Sequence, residues 1–377
     1  MDFEKYNDIA PYRGADIEAA KERLIAKREY LGGFAYLLAG NDIEVATKVI
    51  SYIINGIKEV KTYTDFQRNV TAGVFIPTIL QKTTTGFSVS GAENIDPNKG
   101  YLFVSNHRDI ILDCMLLDYA LLLSNKPFCE MAVGDNLMAN KFIEDIFRIN
   151  GGIIVRRELP MREKYKESMK LSEYFVDVVS QENTSIWVAQ KSGRSKDGID
   201  NTQPAIIKML YLSKKGSGVS FSELIKSVNI VPIAISYQYD PNDINKGREE
   251  TVKAQNDGKY EKKKYEDIIS MVRGLRCPKG HIHVAIGKPL DGEYENADEV
   301  AREIDRQIHT NYKLFNTNYI AYDYLENTDR FKDFYDGLNP EDFLAAYNHL
   351  SDDVRSFVLN SYANPVRMML KETEGEE

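Results

Sequence analysis

Tyr101-Leu-Phe-Val-Ser-Asn-His-Arg-Asp-Ile-Ile-Leu-Asp113 is the stretch that decides how the chain is read. Tyr101 to Val104 is short, apolar and rich in aromatic and β-branched content; Ser105 and Asn106 follow, and then an apolar-rich segment from Ile110 to Leu123. That order predicts a strand feeding a helix. His107 stands at the junction, with Asp109 and Asp113 downstream of it. An imidazole at the end of a strand can reach a ligand above the sheet, and a nearby carboxylate fixes its tautomer and raises its basicity. This is the wiring of a general base. A lone histidine at a strand end more often caps or packs, so the segments downstream have to decide the matter.

Three further segments follow in order. Gly151-Gly-Ile-Ile-Val-Arg-Arg157 is a short strand ending in paired arginines. Ile186-Trp-Val-Ala-Gln-Lys-Ser-Gly-Arg-Ser-Lys-Asp-Gly198 is a strand opening into a polar, basic loop, and Asn229-Ile-Val-Pro-Ile-Ala-Ile235 is an apolar strand carrying Pro232. Together the four segments, within about residues 85 to 310, resemble the four motif blocks of the glycerolipid acyltransferases, the glycerol-3-phosphate and lysophosphatidate acyltransferase superfamily. Two departures stand out. The family's first block has four residues between His and Asp; here Leu112 holds that place and the acid comes at Asp113. In the third block Lys191 or Ser192, depending on how the loop is matched, stands where the family has Glu.

The resemblance implies an O-acyltransferase that moves a fatty acyl group from an acyl thioester, acyl-CoA or acyl carrier protein, to a hydroxyl of glycerol-3-phosphate or a lysophospholipid. No cofactor or metal is expected beyond the thioester co-substrate. His107 is the expected base and Asp113, or Asp109, its orienter. Asp113 lies inside an otherwise apolar stretch, where an unpaired carboxylate is costly, and His107 is the nearest partner. Asp109 is better placed to cap the helix start. Arg157 and Arg194 match the second-block and third-block arginines, and Arg suits phosphate because its fork binds two oxygens. Arg156 and Lys196 extend this basic set, and backbone N–H groups near Ser192 and Gly193 are candidates for holding the oxyanion. Residues 191 to 215 contain six Lys or Arg against two Asp. The missing third-block glutamate keeps two alternatives open: an acyltransferase for a non-phosphate acceptor such as an amino-acid lipid, and an inactive relative that binds lipid or a partner.

Composition sets the frame. With 377 residues, 43% of them apolar, the chain can bury a large core. A formal charge of −9 argues against a surface that clings throughout to nucleic acid or anionic lipid, so basic function must be local. Cys114, Cys129 and Cys277 form neither a metal spacing nor an even disulfide framework and suit a reducing compartment. The first residues lack a signal-peptide pattern, and no apolar run reaches the roughly 20 residues of a membrane span. The expected location is the cytoplasm, with attachment to the inner face of the membrane as the peripheral form.

The expected fold is α/β with a mostly parallel central sheet and flanking helices: an N-terminal helical region over 1–84, an acyltransferase-like α/β domain over 85–312 and a C-terminal helical segment over 313–377. The N-terminal region reads as a bundle packed on the core, with lipid or acyl contact by Val74, Phe75, Ile76, Ile79 and Leu80 as the alternative. Residues 241 to 265 are polar and give no clear shape. His281 and His283 share one face of a predicted strand, too few ligands for a metal site.

Overall fold

The expected alternation of strands and helices is present in the computed structural model, which describes residues 3–40, 42–157 and 159–375. Among the described residues seven strands form one sheet: β1 (Thr84–Ser90), β2 (Leu102–Ser105), β3 (Cys129–Gly134), β4 (Gly152–Val155), β5 (Ser185–Ala189), β6 (Ile230–Tyr237) and β7 (Gly280–Ile286). Their order is β1-β7-β6-β2-β5-β3-β4. All neighbours are parallel except β6 and β7, so β1 and β7 run opposite to the other five. β2 is central, with β5 on one side and β6 on the other, and His107 follows its C-terminal end. Open α/β sheets place their ligand crevice beyond such an end.

The helices before the sheet are α1 (Ala15–Ala26), α2 (Arg28–Leu38), α3 (Ile43–Lys58), α4 (Tyr63–Phe66) and α5 (Ile76–Thr83), with a π-helical stretch over Gln67–Phe75 joining the last two. Asp42 caps α3 by accepting from the backbone N–H groups of Glu44 and Val45. Within the sheet region come α6 (Leu112–Leu123), α7 (Lys141–Ile149), α8 (Met161–Ser180), α9 (Pro204–Tyr211), α10 (Phe221–Ser227), α11 (Asp243–Gln255), α12 (Glu266–Arg276) and α13 (Ala297–Asn311). Beyond them come α14 (Asn316–Glu326), α15 (Pro340–Ala345) and α16 (Asp352–Glu374).

Strand alternation sends side chains to two cores. Phe103, Met131, Trp187, Val231 and Ile233 face α6 and the N-terminal helices. Leu102, Val104, Ile186 and Ile230 face α8, α9 and α13. Phe75, Ile76, Ile79 and Leu80 are buried in the first of these cores, so they are packing residues and not a lipid-facing surface. A third, smaller core joins α14, α15 and α16 to one another.

β3 and α7 fall in a stretch to which the sequence assigned no element, and residues 241 to 265, which gave no clear shape, include α11. The C-terminal segment expected as helical consists, among the described residues, of the three helices α14, α15 and α16.

Candidate active site

β2 ends at Ser105 and α6 begins at Leu112, so His107 lies in the turn between them. The extra residue in the His-to-Asp spacing is taken up by this turn, which brings Asp113 back to the ring from the first turn of α6. His107 Nδ1 and Asp113 Oδ2 are 2.8 Å apart. With the carboxylate accepting from Nδ1–H, the lone pair of the imidazole sits on Nε2, the nitrogen left for a substrate. The ring packs edge-on against Trp187, with centroids 6.0 Å apart.

Asp113 is buried yet fully partnered. Its Oδ2 also accepts from the backbone N–H groups of Arg108 at 2.6 Å and Asp109 at 2.9 Å, and its Oδ1 accepts from the Tyr237 hydroxyl at 2.8 Å. Burial alone would raise its pKa, but His107, the Asp109 N–H and Tyr237 together hold it below the usual carboxylate range. Tyr237 closes β6, so two neighbouring strand ends converge on one carboxylate.

Asp109 has a different job. Its Oδ1 accepts from the N–H groups of Ile111 and Leu112 at 3.1 and 3.0 Å, which closes the turn into α6. Its Oδ2 is buried without a hydrogen-bond partner, and burial followed by the nearby Asp113 pushes its pKa up. Asp113, not Asp109, is the acid that orients the histidine.

The rest of the turn is anchored from three directions. Asn106 bonds both backbone groups of Ile235 on β6 and also donates to Asp200 at 3.1 Å. Arg108 is buried and donates to the same Asp200 oxygen at 2.6 Å, with its guanidinium 5.2 Å from the Tyr312 ring centroid. Lys246 on α11 donates to the Arg108 carbonyl at 2.8 Å and pairs with Asp240. Sequence reasoning missed Tyr237, Asn106, Arg108, Asp200 and Lys246 as parts of this framework. Asn106 and Arg108 were visible inside the quoted stretch; the other three had no local signal.

The loop after β5 lies beside the histidine, and Ser195 N–H donates to the His107 carbonyl at 2.7 Å. Ser192 and Gly193 are exposed in this loop. The Ser192 N–H already donates to Gln203 Oε1 at 3.2 Å, so as an oxyanion donor it would first have to leave that bond. Gly193 has φ +81°, a left-handed backbone that suits a residue without Cβ. Arg194 makes no ion pair among the described residues, and its buried Nη1 has no hydrogen-bond partner. Arg194 directly precedes the Ser195 that bonds the His107 carbonyl, and a buried guanidinium nitrogen without a partner favours an anion.

The other expected cations are placed differently. Lys196 is paired with Glu249 on α11. Arg156 is bonded to Asp8 at 3.0 Å and lies 3.3 Å from Glu167, which ties β4 to the N-terminal segment and α8. Both are engaged by protein carboxylates where a substrate contact was expected. Arg157 is exposed at the end of β4, with its side chain over Gly134. β4 is three strands from β2, roughly 14 Å at the usual strand spacing. His281 and His283 share a face of β7 and bond to Ser88 and Ser90 of β1. Among the described residues no group of three His, Cys, Asp or Glu side chains has the geometry of a metal site.

Residues 86–236 match the family model described as Acyltransferase. This segment is similar to the acyltransferase family. It runs from β1 to the end of β6 and contains all four of the blocks that resemble the glycerolipid acyltransferases, together with the His107–Asp113 pair. Among solved structures, the chain is similar to the 1-acyl-sn-glycerophosphate (LPA) acyltransferase PlsC from Thermotoga maritima, at 15% identity and a TM-score of 0.37, covering 75% of this chain and 96% of that one. No curated protein matches the sequence significantly. No helix among the described residues is long and apolar enough to cross a membrane.

Proposed function

We propose that the protein transfers a fatty acyl group from an acyl thioester to the hydroxyl of a glycerol-3-phosphate or lysophospholipid acceptor. The observation that carries this reading is the His107–Asp113 pair facing the same loop as the unpaired Arg194. His107 Nε2 takes the proton of the acceptor hydroxyl as its oxygen bonds to the thioester carbon. Asp113 stabilises the imidazolium that results. When the tetrahedral intermediate collapses, the carbon–sulfur bond breaks and the imidazolium returns its proton to the leaving thiolate. Attack is direct, and no acyl-enzyme is required.

Arg194 holds the phosphate of the acceptor, with Arg157 reaching in from the sheet edge. The donor is acyl-CoA or acyl carrier protein; both present the thioester that this chemistry needs.

The test is a panel of acceptors with one thioester donor. Arg194→Ala and Arg157→Ala are expected to raise KM for glycerol-3-phosphate, by the equivalent of about 1.5 to 3 kcal/mol per lost charged hydrogen bond, with kcat changed less. Unchanged KM in both variants, with turnover of a neutral hydroxylated lipid, would replace the phosphate acceptor by a non-phosphate one.

A further inference from the structure

The segment 259–276 has no part in the chemistry above, yet it touches the motif. Residues 259 to 276 hold six Lys or Arg (259, 262, 263, 264, 273, 276) against three acids (261, 266, 267), a local positive excess in a chain of formal charge −9. At the start of α12 the apolar side chains are turned outward: Tyr265 is 59% exposed, Ile268 49% and Ile269 53%. These three positions are spaced i, i+3 and i+4 and so form one surface strip. Lys262, Lys263 and Lys264 are exposed immediately before it, with Lys264 Nζ 4.9 Å from the Tyr265 ring centroid. Lys262 donates to Asp267 at 2.7 Å, which neutralises one of the acids within the strip.

The opposite side of α12 is buried through Ser270, Gly274 and Leu275. Gly274 lies so close to Asp109 that a Cβ placed there would stand 2.2 Å from Asp109 Oδ2. One side of the helix therefore packs on the turn that carries His107, while the other offers isoleucine and tyrosine side chains flanked by lysines.

We propose that α12 and the lysine run before it dock this protein on an anionic lipid bilayer. Exposed apolar side chains at one end of a helix, flanked by cations, match a surface whose headgroups are negative and whose acyl layer lies just beneath. Docked this way, the helix sets the catalytic turn beside the bilayer, where a long-chain acceptor or product resides. The docking itself does not depend on the acyl-transfer reading.

Co-sedimentation tests it, using the full chain with vesicles of phosphatidylcholine alone and of phosphatidylcholine mixed with phosphatidylglycerol. The parent is expected to bind the mixed vesicles, to bind the neutral ones far less, and to be released by salt. Removing the charge of Lys262, Lys263 and Lys264 together (each Lys→Gln) is expected to weaken binding by about 100-fold, from about fivefold per lysine near an anionic surface. Ile268→Ser with Ile269→Ser is expected to weaken it as well. All five positions are exposed, so both variants should melt as the parent does. His107→Ala should bind vesicles normally, which separates failure here from failure of the catalytic reading. Absence of vesicle binding by the parent, or parental binding by either variant, overturns the proposal. So does a triple variant that binds vesicles normally but loses turnover only with a donor carried on an acidic carrier protein; the patch would then be a protein-docking surface.

Discussion

Asp113 receives four donors on two oxygens, one from an imidazole, one from a phenol and two from the backbone. This density keeps a buried carboxylate ionised, and an ionised partner is what an imidazole needs in order to take up a proton. Asp113→Asn keeps the shape but removes the charge and turns an NH2 toward groups that are already donors. Turnover is expected to fall at least tenfold in protein that remains folded, with KM for the acceptor little changed; steady-state kinetics alongside a melting curve checks it. Asp109 is expected to behave in the opposite way. Its Oδ1 closes the turn and its Oδ2 bonds nothing, so Asp109→Ala should cost about 1 kcal/mol as a lost cap and affect rate only through that loss. A variant that keeps its stability but loses turnover would move Asp109 into the chemistry. The different placements of these two acids were legible in the sequence because one lies in an apolar run and the other at a helix start. Tyr237 was not legible, since it comes from a strand more than a hundred residues away and nothing local marks a tyrosine as a partner of that acid.

Among the helices, α12 and the π-helical stretch show how packing overrides local preference. Gly274→Ala would ordinarily favour a helix by about 1 kcal/mol. Here the added Cβ meets Asp109 Oδ2 at 2.2 Å, so the substitution is expected to lower the melting temperature and to disturb the turn before α6. A variant more stable than the parent would contradict that packing. The π-helical Gln67 donates to Asp118 of α6 at 2.9 Å and to the Cys129 carbonyl at 2.7 Å, joining the N-terminal helices to the sheet. Burial pushes Asp118 up to about 7. Because its folded pKa is raised, its contribution to stability is complete below the unfolded value of about 4 and is lost as pH rises through about 7. The parent is therefore expected to lose melting temperature between about pH 4 and 7, and Asp118→Asn to lose less, as thermal melts across that window would show; equal slopes would place the titration elsewhere. β3 escaped sequence reading for a related reason. Its second residue is Glu130, which breaks the apolar run but is buried against Arg13 and Tyr174. α11 escaped too, since it buries Asp243, Lys246 and Glu249 through hydrogen bonds and ion pairs and so lacks an apolar stripe.

For the molecule as a whole, one sheet sorts the chain into a face covered by α6 and the N-terminal helices and a face covered by α8, α9 and α13. The strand and helix rhythm between residues 85 and 312 was legible because each motif block couples an apolar strand to a polar turn. The antiparallel placement of β7 was not, because strand direction depends on pairing partners and leaves no mark on the strand itself. Of the expected site, the histidine, its acid and Arg194 come together, while Arg156 and Lys196 are drawn off by carboxylates from distant elements that local sequence could not reveal. The central claim is that the strand ends of this sheet exist to hold His107 as a base, and it is tested most directly by thiol release from an acyl thioester in the presence of a hydroxyl acceptor. The account predicts that His107→Ala folds as the parent does and slows release by about 10²-fold to 10⁴-fold; a folded His107→Ala protein that releases thiol at close to the parental rate would contradict it.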